Sequence, residues 1–276
     1  MSEVKPRKLP RKEIRMKIKT LLTALIFTFG LVQVPAHGAS FDSVSHIHNI
    51  KVDGSRILLG THEGLYLYEG PNKMRKLGTE NFDVMGLAVS SGEIYASGHP
   101  NTGSKLPAPV GLISSIDNGK TWNQISLQGK VDFHMLEVSG KEIYGADSQS
   151  GNLMYSSDGG KKWVILGAAK YQDIAISSTK NTFAVLGKKI VMTKNTFKST
   201  SEINSDFDAQ TLETVGSGLY ASSGKTLYLT SDLGKKWVAV STFKDQISVV
   251  TASNSSIVVV AGSSILVSKD KGKTFK

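Results

Sequence analysis

Short apolar runs separated by glycine-containing turns recur along most of the chain, and many of them alternate apolar and polar positions. Residues 133–138, 142–146 and 153–156 form three such runs in succession. Alternation with a period of two predicts half-buried strands, and the short turns between the runs predict antiparallel pairing. The pattern therefore predicts an all-β domain.

One turn sequence is repeated four times. It has a hydroxyl residue, an Asp two positions later, a Gly two positions after that and an aromatic residue three positions further on. The four copies begin at Ser115, Ser156, Thr230 and Ser268. The Asp can accept hydrogen bonds from the backbone of its own turn, and the Gly supplies a positive φ. We therefore expect four hairpins, each with its aromatic side chain folded over the end.

The spacing of these turns predicts how the hairpins are arranged. The four aspartates, Asp117, Asp158, Asp232 and Asp270, are 41, 74 and 38 residues apart. The long interval holds two periods, and its midpoint falls on Asn195, where we predict a shortened copy of the turn. A further unit without the turn precedes the first copy. Six units of four short strands predict a β-propeller of six blades, with seven blades as the alternative.

The four turns resemble the bacterial neuraminidase repeat, or Asp box, of sialidases, sortilin-like receptors, some glycoside hydrolases and a photosystem II assembly factor. The resemblance covers roughly residues 46–276. It implies a propeller of the sialidase-like and sortilin-like superfamily. Because members of this superfamily share little chemistry, the resemblance does not select an activity.

The first 38 residues have the composition of a targeting segment. Eight Lys or Arg residues precede an apolar run from Leu21 to Val34, and small residues follow near Ala39. The run is short for a membrane span, so we expect residues 1–38 to be a cleaved signal peptide, with a retained anchor as the alternative. Residues 39–276 then form a single domain, secreted or held in the cell envelope. The chain contains no Cys, so no disulfide stabilises this domain.

Net charge gives little support to nucleic-acid binding. The chain carries a formal charge of +10, but residues 1–38 contain eight Lys or Arg and two Glu, which leaves about +4 for the domain. No basic stripe with stacking aromatic residues is present. We therefore expect no nucleic-acid partner and, after signal cleavage, no membrane contact. We expect a monomer.

Two segments of the domain do not fit the regular pattern. Residues 99–109 contain three of the seven prolines and predict a shaped loop between the second and third strands of unit two. Unit six lacks a fourth strand, whereas residues 41–44 precede unit one without a partner. We predict that these N-terminal residues supply the missing outer strand and close the ring.

The five histidines of the domain fall in units one to three: His46, His48, His62, His99 and His134. All lie at the start of an inner strand or in a connection from a second to a third strand. In a propeller these positions share one end of the ring, and the repeated turns lie at the other. Alignment of the units places His48, Met85 and His134 at equivalent positions.

Imidazoles that converge from several strands are suited to a transition metal, copper or zinc, and a nearby thioether favours copper. No cofactor is certain. The same side chains could bind an anionic or sugar ligand at mildly acidic pH. The alternative is that they are ordinary polar surface residues.

The sequence gives weaker support to catalysis. A sialidase of this fold needs three arginines for the substrate carboxylate, whereas the domain has only Arg56 and Arg75, so we do not expect sialidase activity. Another glycoside hydrolase would need two carboxylates across the scissile bond. Four carboxylates could reach the histidine end, and Tyr171 and Gln172 could contact a sugar. The four are Glu63, Asp147, Asp173 and Glu213.

These observations favour a binding scaffold over an enzyme. Its ligand would be a glycan, a protein or a metal ion, held at the histidine end of the ring. The alternatives are a glycoside hydrolase that uses carboxylates at the same end, and an assembly factor resembling the photosystem II propeller. The arginine patch expected of that factor is missing.

Overall fold

The computed structural model describes residues 44–71, 73–177 and 181–276. Every regular element in these ranges is a β-strand, which confirms the all-β prediction. No helix in this part of the chain is long and apolar enough to cross a membrane. The predicted signal peptide, residues 1–38, lies outside the described residues.

The strands form six consecutive antiparallel sheets, or blades. The inner strands are β1 (Ile47–Asp53), β5 (Phe82–Ser90), β9 (Phe133–Ser139), β13 (Asp173–Ile176), β17 (Thr211–Val215) and β21 (Ile247–Ala252). The second strands are β2 (Arg56–Thr61), β6 (Glu93–Pro100), β10 (Glu142–Asp147), β14 (Thr182–Leu186), β18 (Gly218–Ser223) and β22 (Ile257–Ala261). The third strands are β3 (Gly64–Gly70), β7 (Leu112–Ser115), β11 (Asn152–Ser156), β15 (Lys189–Thr193), β19 (Thr226–Thr230) and β23 (Ser264–Ser268). The outer strands are β4 (Lys73–Lys76), β8 (Asn123–Ser126), β12 (Val164–Ala168), β16 (Ser201–Ile203) and β20 (Val238–Thr242).

The hydrophobic core is divided among the blade interfaces. Each of six buried clusters joins side chains of two neighbouring blades. Leu58 of blade one packs with Phe82 of blade two, for example, and Ile57 of blade one packs with Val258 of blade six. Because the last cluster joins the last blade to the first, the sheets form a closed ring. The described residues form a six-bladed β-propeller, as the turn spacing predicted, and the seven-blade alternative is wrong.

Hydrogen bonds also link the first and last blades. The Val52 N–H donates to Thr251 Oγ1 over 3.3 Å, and the Ser253 hydroxyl donates to the Gly54 carbonyl over 2.6 Å. Blade six has three strands among the described residues, and its outer edge pairs at Val267 with the backbone of Lys276. The prediction that residues 41–44 form this outer strand rests largely on residues outside the described ranges. Val44, the one that is described, packs against the apolar cluster of blades one and six.

The repeated turns have the predicted hydrogen bonds. In the second copy, the Ser156 hydroxyl oxygen accepts from the Gly160 N–H at 2.9 Å, and Asp158 Oδ1 accepts from the N–H groups of Lys161 and Lys162. The Trp163 indole N–H donates to Ser126 Oγ and to the Gly160 carbonyl. The turn therefore joins its own hairpin to the outer strand of the preceding blade.

The predicted degenerate turn at Asn195 adopts the same conformation. Asn195 Oδ1 accepts from the Ser199 N–H at 3.0 Å, and Thr193 Oγ1 accepts from the Phe197 N–H at 3.1 Å. Phe197 stands in the glycine position with a φ of 61°. An amide oxygen thus replaces the carboxylate of the other copies.

The predicted loop at residues 99–109 begins later than expected. His99 and Pro100 belong to β6, where they pair with Asp83 and Phe82. Pro100 is the last residue of that strand, a position that needs no ladder hydrogen bond from its nitrogen. The pairing fixes His99 directly opposite Asp83.

Candidate metal centre

The inner strands of blades one to three each contain a β-bulge at the same place. The pairing with the second strand skips one residue between Ile47 and Asn49, between Val84 and Gly86, and between Phe133 and Met135. The skipped residues are His48, Met85 and His134, so the predicted equivalence of these positions is confirmed. Bulges redirect side chains, and here they do so at one end of the ring.

His62 and His99 occupy a second set of equivalent positions. His62 follows Thr61, which pairs with Ile47 just before the bulge of blade one. His99 follows Gly98, which pairs with Val84 just before the bulge of blade two. Gly98 has a φ of 148°, and a Cβ there would lie 1.8 Å from the Asp83 carbonyl oxygen. Only glycine lets β6 approach the bulge this closely, which brings His99 against Asp83.

Asp83 is the centre of the cluster. Its side chain is only 3% exposed, and three imidazoles surround it. The distances are 2.9 Å from Oδ1 to His48 Nε2, 2.6 Å from Oδ2 to His62 Nδ1, and 3.2 Å from Oδ2 to His99 Nε2. The ligand atoms of His48, His62 and Asp83 all lie within 4.8 Å of one another.

Asp132 forms the second half of the cluster. Its Oδ2 lies 2.8 Å from His99 Nδ1 and 3.3 Å from His134 Nε2. Its backbone N–H donates to Asp147 Oδ1 at 2.8 Å, which anchors the start of β9. His99 therefore lies between the two buried aspartates with one ring nitrogen directed at each.

Some polar atoms of this cluster lack hydrogen-bond partners. His48 Nε2 and Asp83 Oδ1 are buried and only 2.9 Å apart, yet neither makes a hydrogen bond within the described residues. Asp132 Oδ1 is also buried without a hydrogen-bond partner in this part of the chain. Burying a carboxylate oxygen without a partner is costly, and a bound cation would remove that cost.

The protonation state of His48 suits a metal ligand. Burial lowers its pKa, and the nearby imidazoles of His62, His46 and His134 lower it further, which together outweigh the opposing effect of Asp83. A neutral imidazole has the free electron pair that a metal needs.

All five predicted histidines lie at this end of the ring. His46 is the outermost, with its ring centroid 6.2 Å from that of His48 and 6.4 Å from that of His62, and it contacts neither aspartate. Sequence analysis missed Asp83 and Asp132. Each stands two residues before an aligned bulge residue, where unit one has His46. That shared offset was the available signal.

The four predicted carboxylates have separate roles. Glu63 accepts hydrogen bonds from the backbone and hydroxyl of Ser45, and Asp147 accepts from Asp132 and Ser150, so both are tied to loop structure. Asp173 and Glu213 line the central channel instead. The Tyr171 ring stacks on Phe197, with centroids 4.4 Å apart.

The central channel is polar and charged. A cavity of about 310 Å³ opens at the histidine end and includes His48, His134 and Asp173. One of about 400 Å³ opens at the other end and includes Glu213. The ion pair of Lys51 with Glu137 borders both cavities.

Burial shifts the acidity of the channel carboxyls. It raises the pKa of Asp173 to about 7 despite the hydrogen bond from the Leu212 N–H, and that of Glu213 to about 7 despite Lys51. Burial would lower the pKa of Lys51, but Glu137, Glu213 and Asp173 together raise it.

Neither Arg56 nor Arg75 lines the central channel. Arg56 pairs with Asp53 and also contacts Asn118 in a repeated turn, which puts it at the end of the ring opposite the histidines. Arg75 pairs with Glu69 over 2.9 Å. The arrangement that a sialidase needs is therefore missing from the described residues.

The geometry defines a propeller with a histidine–aspartate cluster at one end of its channel. No family model matches the chain, and no curated protein matches it significantly. Three solved structures are similar to this chain. The structure of YCF48 bound to D1 peptide has a TM-score of 0.51 and 16% identity to this chain, and the match covers 89% of this chain and 82% of that one. PorZ of Porphyromonas gingivalis, an essential surface component of the type-IX secretion system, has a TM-score of 0.56 and 10% identity, with coverage of 83% and 32%. The GH74 enzyme of Niastella koreensis has a TM-score of 0.55 and 14% identity, with coverage of 83% and 37%.

The chain spans about a third of the length of the last two proteins. At these identities, the similarity shows the propeller fold alone.

Proposed function

We propose that this propeller is a binding protein that holds a divalent transition-metal ion, zinc or copper, at its histidine end. The ion would occupy a position formed by His48 Nε2, His62 Nδ1 and the Asp83 carboxylate. Two imidazoles and one carboxylate are a common zinc ligand set, and imidazole also suits copper. Such a set leaves a coordination site open for water or a ligand.

One observation carries this proposal. His48 Nε2 and Asp83 Oδ1 are both buried and lie 2.9 Å apart, and neither has a hydrogen-bond partner within residues 44–71, 73–177 and 181–276. A hydrogen bond between the two atoms would satisfy both of them. Two metal ligands instead point their electron pairs at a common position, where the ion binds. The protein would be expected to tolerate this arrangement if a cation occupies that point.

Substitution of Asp83 tests the proposal. We expect Asp83→Asn to weaken binding of Zn²⁺ and Cu²⁺ at least about tenfold, equivalent to about 1.4 kcal/mol, because the amide keeps the shape but loses the charge. Titration calorimetry on the tag-free domain, with metal analysis after dialysis, measures the effect. Asp208→Asn, at an exposed carboxylate in the connection between blades four and five, is the matched control.

A second variant covers the case in which Asp83→Asn does not fold. His48→Ala removes one ligand from a partly exposed position and should weaken binding by a similar factor. Unaltered affinity in either folded variant, or a wild-type domain that binds neither ion, would exclude this position.

The four turns and their hydrogen bonds support kinship with the Asp-box propellers. The N-terminal composition supports export through a signal peptide, and we infer a secreted or envelope protein. The amino-terminal sequence of the protein recovered from outside the cytoplasm tests this. Cleavage near residue 38 is expected, and an uncleaved terminus would support a retained anchor.

The channel supports a second candidate function, a glycoside hydrolase. Asp173 and Glu213 hold their protons near neutrality, a property of the general acid in such enzymes. Hydrolysis of an unactivated oligosaccharide by the wild type, whose alkoxide leaving group needs a proton, and loss of that hydrolysis in Glu213→Gln, would support it. Equal rates in the two proteins would exclude Glu213 as the acid.

A further inference from the structure

The repeated turns make one end of the ring strongly basic. The four copies and the degenerate one each follow a third strand, so all five project from the end opposite the histidines. The five are residues 116–122, 157–163, 194–199, 231–237 and 269–275. Together they contain ten lysines, four aspartates and no glutamate. All ten lysines are exposed, and no carboxylate in the described ranges pairs with any of them.

The positive charge of the domain is concentrated at this end. The five turns carry a formal charge of +6, whereas the whole domain carries about +4, so the remainder of the domain is net negative. The aspartates of the turns are bound within their own hairpins. Asp270, for example, accepts hydrogen bonds from the N–H and the hydroxyl of Thr274. The lysine side chains are therefore the charged groups that face solvent at the turn tips.

Two apolar side chains are exposed at the same end. Ile116 is 77% exposed and Leu233 is 45% exposed, each at the tip of a turn. They belong to blades two and five, which lie on opposite sides of a six-bladed ring. Leu233 has a φ of 58°, a left-handed conformation that two other copies fill with Asn118 and Gly159. Folding does not explain a leucine at this place, because Asn or Gly adopts that conformation at lower cost.

We propose that the turn end of the propeller docks on the surface of a bilayer that contains anionic lipids. The lysines contact lipid headgroups, and Ile116 and Leu233 enter the boundary between headgroups and acyl chains. The apolar tips favour a bilayer over a dissolved polyanion, which offers them no apolar phase. Docking requires no metal, and it directs the histidine end away from the bilayer. The expectation of no membrane contact rested on the charge of the whole domain, which hides its concentration at one end.

Vesicle sedimentation tests the docking. The tag-free domain is mixed, at physiological ionic strength and with a chelator present, with vesicles of phosphatidylcholine or of an equal mixture of phosphatidylcholine and phosphatidylglycerol. We expect binding to the mixed vesicles only, and a decline in binding as salt is raised. Lys161→Gln combined with Lys162→Gln should weaken binding about fivefold per lysine.

A matched pair of lysines controls for net charge. Lys105→Gln combined with Lys130→Gln removes the same charge from exposed positions at the histidine end. Screening over about 8 Å at this ionic strength confines the effect of a charge to its own end of the molecule, so binding should be unchanged.

Two further substitutions test the apolar tips and leave the turns intact. Ile116→Ser and Leu233→Asn each introduce the residue that another copy of the turn carries at that place, Ser157 and Asn118 respectively. Together they should weaken binding to the mixed vesicles at least about tenfold, because two apolar side chains no longer leave water. Leu233→Met keeps an apolar side chain and should bind as the wild type does.

Three results would overturn the inference. The first is a wild-type domain that does not bind the mixed vesicles. The second is an equal loss of binding in the turn-end and histidine-end lysine variants, each shown by circular dichroism to be folded. The third is binding to soluble polyphosphate that is as tight as binding to vesicles and is unaffected by loss of both apolar tips, which would assign the basic end to a dissolved polyanion instead.

Discussion

Buried carboxyl groups give this propeller its chemical character, and they fall into two sets. Asp83 and Asp132 lie among imidazoles at the histidine end. Asp173 and Glu213 lie in the channel near Lys51, where burial raises the pKa of each to about 7. The first set is suited to binding cations, whereas the second set stays largely protonated below neutral pH.

The channel carboxyls predict how stability depends on pH. Their protons remain bound in the folded protein, whereas the same groups in the unfolded chain release them near pH 4. Stability from these groups is therefore present at low pH and declines as pH rises from about 4 to about 7. In Asp173→Asn this decline should become roughly half as steep, because one of the two groups no longer titrates.

Urea unfolding between pH 4 and 8 measures that decline. Asp208→Asn serves as the control because this carboxylate is exposed and pairs with Lys188 at the surface. Equal slopes in Asp173→Asn and the wild type would contradict the assignment.

At the scale of elements, the repeated turns give the hairpins their geometry and tie neighbouring blades together. Gly159 and Gly160 both have positive φ, 77° and 84°, but their surroundings differ. A Cβ on Gly159 would meet nothing within 4 Å, whereas one on Gly160 would lie 2.3 Å from Leu112 Cδ2 in the preceding blade. A side chain at Gly159 would therefore cause backbone strain alone, whereas one at Gly160 would cause backbone strain and a packing clash.

Alanine substitutions at these two glycines should have unequal effects. We expect Gly159→Ala to cost about 1 kcal/mol of unfolding free energy through its left-handed φ. Gly160→Ala should cost about 1–3 kcal/mol more than Gly159→Ala, because Leu112 is fully buried and has no room to move. Chemical denaturation of both variants measures the difference, and equal losses would show that the turn does not press on the preceding blade.

At the scale of the whole molecule, the ring closes where the Thr251 hydroxyl accepts the Val52 N–H. Thr251→Val keeps the volume but leaves that N–H unpaired, so we expect a loss of about 1–3 kcal/mol in unfolding free energy. Thr242→Val, on an exposed outer strand, is the matched control and should change stability by less than about 0.5 kcal/mol. Thermal and urea unfolding compare the two, and similar losses would argue against a special role for the closing contact.

The repeats explain which features were predictable from sequence. Six units, the turn conformation and the common location of the five histidines followed from regular spacing. Asp83 and Asp132 did not, because an isolated Asp has no local signature and its partners come from a neighbouring blade. The reach of β6 to His99 was missed because Pro100 indicated a loop. The acidity of Asp173 was also hidden, since it arises from burial in the assembled channel.

The recurring bulge has a consequence for protein engineering. Blade six carries it too, at Ser248, which lines the same cavity as His48 and His134. The backbone conformation that directs His48 and His134 toward the channel is thus also present in blade six, where the side chain is a serine. Ser248→His would therefore place a further imidazole beside His48, at the same end of the ring.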